Sequence, residues 1–411
     1  MIHVYVGPSL PADEPLLTDP ELRVLPPARH GDLFDSDLTA GDTVVLIDGT
    51  YHQTPALRHK EILAALARGI RVIGAASIGA LRAAELHPYG MTGVGSIFRA
   101  YAQGRIVDDD EVAVGQDPGA GHRSLTWPLV NLRCALQAAE MRLVVTSDAA
   151  DRILAALRDV YYPQRTMAAV RAVCHRHGAA YFTEWLDEQR ARDPNFGDLK
   201  RVDAIHAIRV ARRAAATATA LQDERDWHTD YFRRWANHFA RQQVDGLDLA
   251  TVDRLAYQQI FDPDFPRIWH DHLDHLSRSD GTPLADRMAS LIPGRAHALH
   301  AHTLFRPAVD LGDTATMTRL LANETDADRT SVARYVQYNA GVMTEAVDDE
   351  TTRTTLLRLW NCPPGGLDDE AASRGLRSAA HAIEELKRFM LGLLHDQTET
   401  AGAKELTGNA M

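Results

Sequence analysis

Two short runs of β-branched and aliphatic residues, Thr43-Val44-Val45-Leu46-Ile47 and Ile70-Arg71-Val72-Ile73-Gly74-Ala75, flank a stretch with helical punctuation. A continuous apolar run of this length, stopped by Asp48-Gly49, is the pattern of a strand buried on both faces. Between the runs, Thr54-Pro55 reads as an N-cap followed by a first-turn proline. The predicted helix runs to about Arg68, and Gly69 fits its C-terminal cap. Strand, helix, strand in that order demands a βαβ crossover and a parallel pair. A second helix, of small and apolar residues, is predicted from about Ile78 to Leu86. Residues 2–6, closed by Gly7-Pro8, form another strand, and 22–25 add a short one. The order of strands beyond the central pair is not readable from this pattern.

From about residue 94 the pattern turns helical. Helices are predicted near 123–143, 148–158, 168–192 and 199–222, with Pro194-Asn195-Phe196-Gly197 breaking the last two apart. Aromatic-rich helices follow near 227–242 and 252–260. The last strong one carries Ile383, Leu386, Met390 and Leu393 at helical spacing. The expected fold class is therefore an α/β N-terminal domain with a small parallel sheet, then a mainly α-helical C-terminal region. At 411 residues, two domains are the default.

Bulk properties exclude several function classes. A net charge of −12 argues against nucleic-acid binding, and Arg209, Arg212 and Arg213 read as a solvated helix face. The three cysteines include no C-x-x-C pair, which points to free thiols in a reducing cytosol and a cytoplasmic protein. No basic segment followed by an apolar stretch opens the sequence, so no secretory signal is expected. The most apolar region, Ile62 to Leu86, is interrupted by Arg68, Arg71 and Arg82, so no membrane span is expected.

Chemistry concentrates at Gly74-Ala75-Ala76-Ser77-Ile78-Gly79-Ala80. Here a serine stands where a strand becomes a helix, among residues small enough to let a substrate backbone approach. The helix N-terminus offers unpaired N–H groups and positive dipole charge at the same point, suited to a developing oxyanion. The layout resembles a nucleophile elbow without matching G-x-S-x-G. The same turn also fits a plain N-cap serine, or a phosphate cradle without the lysine that a Walker loop carries.

A nucleophilic serine needs a base. Lys60 lies about a turn and a half into the preceding helix, roughly 8 Å along it, and its side chain leans toward the sheet edge where Ser77 is expected. Burial against Ala64, Ala76 and Ile78 would lower its pKa in the required direction. His59 is the rival base, and a surface lysine paired with a glutamate is the plainer fate of Lys60. Asp48-Gly49 ends a strand at the same edge, where Asp48 can orient Lys60 or cap a turn. Arg82 can support charge at the site or pair with Glu85.

Several longer motifs share one register: Gly7-Pro8-Ser9-Leu10, Ile47-Asp48-Gly49, His59-Lys60-Glu61-Ile62, Gly74 through Leu86, Gly90-Met91, and Asp108-Asp109-Asp110-Glu111-Val112-Ala113-Val114. Together they resemble the TfuA-like family over roughly the first 165 residues. The resemblance implies a partner of a YcaO-type enzyme, which thioamidates a peptide backbone using ATP. It implies hydrolysis of a thiocarboxylated ThiS-like sulfur carrier by a Ser-Lys pair, with Ser77 as nucleophile and Lys60 as base. Ile78 and Gly79 would supply oxyanion donors, and Gly74, Asp48, Gly49 and Arg82 would shape the substrate site. The precursor peptide is a further expected partner. No cofactor and no metal are called for. The expected division is a core over 1–165, a helical partner-binding or structural region over 166–395, and a flexible tail over 396–411. The rival reading is a non-catalytic adaptor that docks the YcaO enzyme and its peptide.

Other features have blander readings. The Asp108 to Glu111 run reads as solvated loop charge, with Mg²⁺ ligation or a basic partner as the alternative. Arg133 is a candidate for binding the carrier tail. His270, His272 and His275, with His297, His300 and His302, tempt a metal reading but lack a cysteine or a second cluster at ligand spacing. Cys134 reads as core.

Overall fold

Five short strands, β1 (Ile2–Tyr5), β2 (Leu22–Leu25), β3 (Thr43–Leu46), β4 (Arg71–Gly74) and β5 (Thr92–Gly93), make one parallel sheet in the order β2-β1-β3-β4-β5. This is the computed structural model of the chain; it describes residues 1–35, 37–50, 54–117, 123–213, 229–291, 300–339 and 347–408. In the central ladder Val45 pairs with Val4 on one side and Ile73 on the other. The expected β3–β4 pair is present. β5 falls between the helix expected to end at Leu86 and the helical pattern from residue 94, where no strand was expected, because two residues containing a glycine carry no strand periodicity.

The first unit covers Met1–Trp227. Its helices are α1 (His59–Ala67), α2 (Ile78–Leu86), α3 (Gly95–Ala102), α4 (Leu129–Met141), α5 (Ser147–Arg158), α6 (Met167–Arg176), α7 (Ala180–Arg192) and α8 (Leu199–Arg213). Alternation along β3 splits its apolar side chains between two layers. Val44 and Leu46 pack with Ile62, Ala65 and Leu66 of α1 and with Ala83 and Leu86 of α2. Val45 and Ile47 pack with Ala204, Ala207, Ile208 and Ala211 of α8. The Asp203 carboxylate ties α8 to α3 by accepting the Ser96 and Ile97 N–H groups at 2.9 and 2.8 Å. The unit thus reaches past the boundary expected near residue 165, because α8 supplies the second cover of the sheet.

Local differences from the sequence reading have identifiable causes. α1 begins at His59, not at Thr54-Pro55; the Pro55 carbonyl accepts the His30 N–H, and Glu61 reaches back to the Arg58 N–H at 3.1 Å. The single helix predicted over 168–192 is two, broken at Gly178 with φ of +69°. α4 starts only after Pro128.

The second unit covers His228–Met411. It starts with α9 (Asp230–Phe239) and an antiparallel hairpin, β6 (Arg241–Val244) and β7 (Leu247–Ala250). Helices α10 (Thr251–Phe261), α11 (Phe265–Ser279), α12 (Leu284–Leu291), α13 (Ala301–Leu304), α14 (Thr314–Leu320), α15 (Asp326–Asn339), α16 (Asp349–Trp360), α17 (Leu367–Ser373) and α18 (Ala379–Gly408) follow. The hairpin lies inside the stretch read as helical. Its turn signal was present as Asp245-Gly246, and both residues adopt positive φ, 52° and 80°. α18 continues to Gly408, past residue 395 where a tail was expected. No helix among the described residues is long and apolar enough to cross a membrane.

Candidate functional site

The chain runs from β1 out to β2, then returns past β1 to β3. Their following loops therefore part at the C-terminal edge of β1 and β3, the crevice where sheets of this kind bind ligands. Asp48, just past β3, crosses that crevice. Its carboxylate accepts the Gly7 N–H (2.9 Å), the Ser9 N–H (2.9 Å) and the Ser9 hydroxyl (2.7 Å), pinning the loop after β1. Behind it, the Lys200 Nζ of α8 lies 3.7 Å from Asp48 Oδ1 and donates to the Val112 carbonyl at 2.9 Å. Asp48 thus faces Lys200, not Lys60. Burial pushes the Lys200 ammonium down from the usual lysine value, and Asp48 only partly restores it.

Ser77 lies at the neighbouring strand end, between β4 and α2. The turn is tight: Ala76 has φ of 63°, and the Ser77 N–H donates to the Ala75 carbonyl at 2.7 Å. A left-handed alanine costs roughly 1–2 kcal/mol, the kind of local strain that clusters at functional sites. Ser77 occupies the N-cap position of α2, yet its side chain makes no capping bond. Its hydroxyl has no hydrogen-bond partner among the described residues. That removes the plain N-cap reading. Ser77 lines a cavity of about 310 Å³ together with Asp48, Gly49, Ile78, Val112 and Tyr162.

The glycines serve close packing. A Cβ on Gly79 would stand 1.8 Å from the Leu46 carbonyl oxygen, and one on Gly74 would stand 2.1 Å from the Gly79 carbonyl oxygen. A Cβ on Gly49 would meet Ile78 at 2.7 Å. They bring α2 into backbone contact with β3 and β4. The Gly79 N–H, expected as an oxyanion donor, already donates to the Ile47 carbonyl at 3.3 Å. The Ile78 N–H makes no backbone hydrogen bond among the described residues, so it is the donor open beside Ser77.

The basic residues divide. Lys60 is half-buried in the first turn of α1 and does not line the Ser77 cavity. Arg82 donates to Glu85 at 2.6 Å and to the Leu57 carbonyl at 3.4 Å, and His59 joins Glu85 at 2.7 Å. Arg82 is thereby held in the α1–α2 contact.

The acidic run is not simply solvated. Glu111 is fully buried and accepts two hydrogen bonds from Arg133, 2.9 and 2.6 Å, and one from Arg158, 3.1 Å. Asp110 pairs with the fully buried Arg165. Burial raises the Glu111 carboxyl, but the two guanidinium groups outweigh it and hold it below the usual range. Arg133 is thus committed to fixing the 108–115 loop, whose Asp109 and Val112–Gly115 form one wall of the cavity. Lys200 was not singled out in the sequence, because a lone lysine in a helix carries no local signal.

Outside this unit, His272 is buried beside Trp269 while His270 and His275 are exposed. His300 and His302 stack at 5.0 Å, and His297 lies outside the described residues. No group of three metal-ligating side chains occurs among the described residues.

Fold and site define a doubly wound α/β protein with a serine at a strained strand–helix turn on its binding edge. The family model described as TfuA-like protein matches residues 48–166, the stretch that carries Asp48, Lys60 and Ser77. No curated protein matches the chain.

Proposed function

We propose that this protein works beside a YcaO-type enzyme in peptide-backbone thioamidation, releasing sulfide from a thiocarboxylated ThiS-like carrier through Ser77. The TfuA-like match supports involvement in YcaO-associated thioamidation. The observation that carries the catalytic part is a cavity-lining serine hydroxyl, unused as a cap, at a turn held by Ala76 in a left-handed conformation.

Ser77 Oγ attacks the thiocarboxyl carbon, and its proton passes to a lysine amine. The tetrahedral oxyanion meets the Ile78 N–H and the positive end of α2. Collapse breaks the C–S bond, and sulfur leaves as hydrosulfide with a proton returned from the lysine. Water then cleaves the serine ester, giving a carboxylate on the carrier and free Ser77. The carrier is an anion, and the helix terminus offsets its charge during attack.

By resemblance the base is Lys60. A second reading assigns that role to Lys200, which like Lys60 does not line the cavity but is buried against two of its wall residues, Asp48 and Val112. Hydrosulfide release from the thiocarboxylated carrier separates them. Ser77→Ala is expected to lower release by at least about a hundredfold, and Lys60→Ala by a similar factor. Release that survives Lys60→Ala but is lost in Lys200→Met moves the base to α8. No release by the wild type, with its YcaO enzyme present, leaves the protein as an adaptor.

A further inference from the structure

The second unit contains a cavity of about 780 Å³ whose charge runs against that of the chain. The protein carries a net −12, yet Arg233, Arg234, Arg306, Arg377 and Arg388 line this cavity against one lining carboxylate, Glu385. Glu385 is already engaged, 3.0 Å from Arg388 and 3.2 Å from His381. Arg388 also holds Asp253 at 2.8 Å. Arg306 and Arg377 are exposed, and neither forms an ion pair among the described residues. The Arg306 guanidinium donates to the Arg377 backbone carbonyl at 3.1 Å, which fixes it at the wall that Arg377 also lines. A concave surface lined by one sign of charge concentrates ligands of the other.

Two further observations narrow the ligand. The walls are also apolar, with Leu255, Phe305 and Leu376, and with Trp269, whose buried indole N–H has no partner among the described residues. The segment after α13 leaves through Phe305, whose backbone is extended at φ −109° and ψ 118°. Its far end is clamped by the Asn237 amide, which donates to the Val309 carbonyl at 2.7 Å and accepts the Leu311 N–H at 2.9 Å. Nearer the cavity, the N–H groups of Arg306 and Ala308 have no partner among the described residues, and both residues are exposed. These two N–H groups, on either side of Pro307, are open backbone donors at the cavity wall.

We propose that this cavity binds an acidic peptide segment in extended form. Its backbone carbonyls accept from the Arg306 and Ala308 N–H groups, its carboxylates meet the arginines, and its apolar side chains lie against Leu255 and Phe305. A phosphate-bearing small molecule would use the arginines but leave the apolar walls unused. The inference stands apart from the Ser77 chemistry and is tested without any sulfur carrier.

The test titrates the full chain into a dye-labelled peptide of alternating Glu and Leu, read by fluorescence anisotropy. Saturable binding that weakens with added salt is expected. Exchanging Glu for Gln in the peptide, or Arg306→Glu or Arg377→Glu in the protein, should each weaken binding about tenfold. N-methylation of the peptide backbone should weaken it as well. Both arginines are exposed, so an unchanged melting temperature checks that the variants fold. Equal binding of the Gln peptide, indifference to both charge reversals, or displacement by ATP or inorganic pyrophosphate would each overturn the proposal. So would the absence of saturable binding at low salt.

Discussion

Lys200 shows how one side chain ties distant parts of the first unit together. It spans from α8 to Asp48 and to the Val112 carbonyl, and it is almost fully buried. Its pKa is lowered from 10.5, first by burial, with Asp48 opposing. The unfolded chain therefore holds the Lys200 proton more tightly than the native state does. The stability contribution of this group is fully present above 10.5 and is lost as pH falls through the native value, so stability rises with pH in that window. Lys200→Met keeps the bulk and removes the titration. The difference in unfolding free energy between wild type and variant, followed by urea melts, should change with pH across that window. A difference that stays flat would contradict the burial effect.

Among the elements, the α2 turn is the one whose packing governs the site. Gly79 and Gly74 let the helix touch β3 and β4 backbone to backbone, and that contact holds Ser77 at the sheet edge. Gly79→Ala drives a methyl into the Leu46 carbonyl and should cost about 3 kcal/mol or more, read as a drop in melting temperature. Ser77→Ala should change stability by less than about 0.5 kcal/mol, because the hydroxyl caps nothing. Glycine spacing was legible in the sequence, but what the glycines pack against was not. Small residues near a serine suit a substrate entry and helix–strand contact equally well. Only the register of α2 against β3 separates the two, and it commits the Gly79 N–H to Ile47.

At the level of the two units, the matched segment 48–166 is not a folding unit by itself. It lacks β1 and β2 on one side and α8 on the other. A fragment ending at residue 166 would leave Val45, Ile47 and Ile73 without the alanines and Ile208 of α8. It should be insoluble or fail to melt cooperatively, whereas a fragment of residues 1–227 should melt as one unit. Cooperative melting of 1–166 at the temperature of 1–227 would contradict this account.

Legible along the chain were the parallel β3–β4 pair, the serine at the strand–helix turn and the helical character of the second half. Each of these depends on neighbours along the chain: runs of apolar residues, alternation, caps and breakers act over a few residues. The tertiary structure alone decided the strand order, the covering of the sheet by α8, and the pairing of Asp48 with Lys200. It also buried Glu111 between Arg133 and Arg158, where the sequence suggested a solvated loop. These contacts join residues from 22 to more than a hundred positions apart. A charge carries no mark of whether it will meet water or an opposite charge until the fold brings its partner to it.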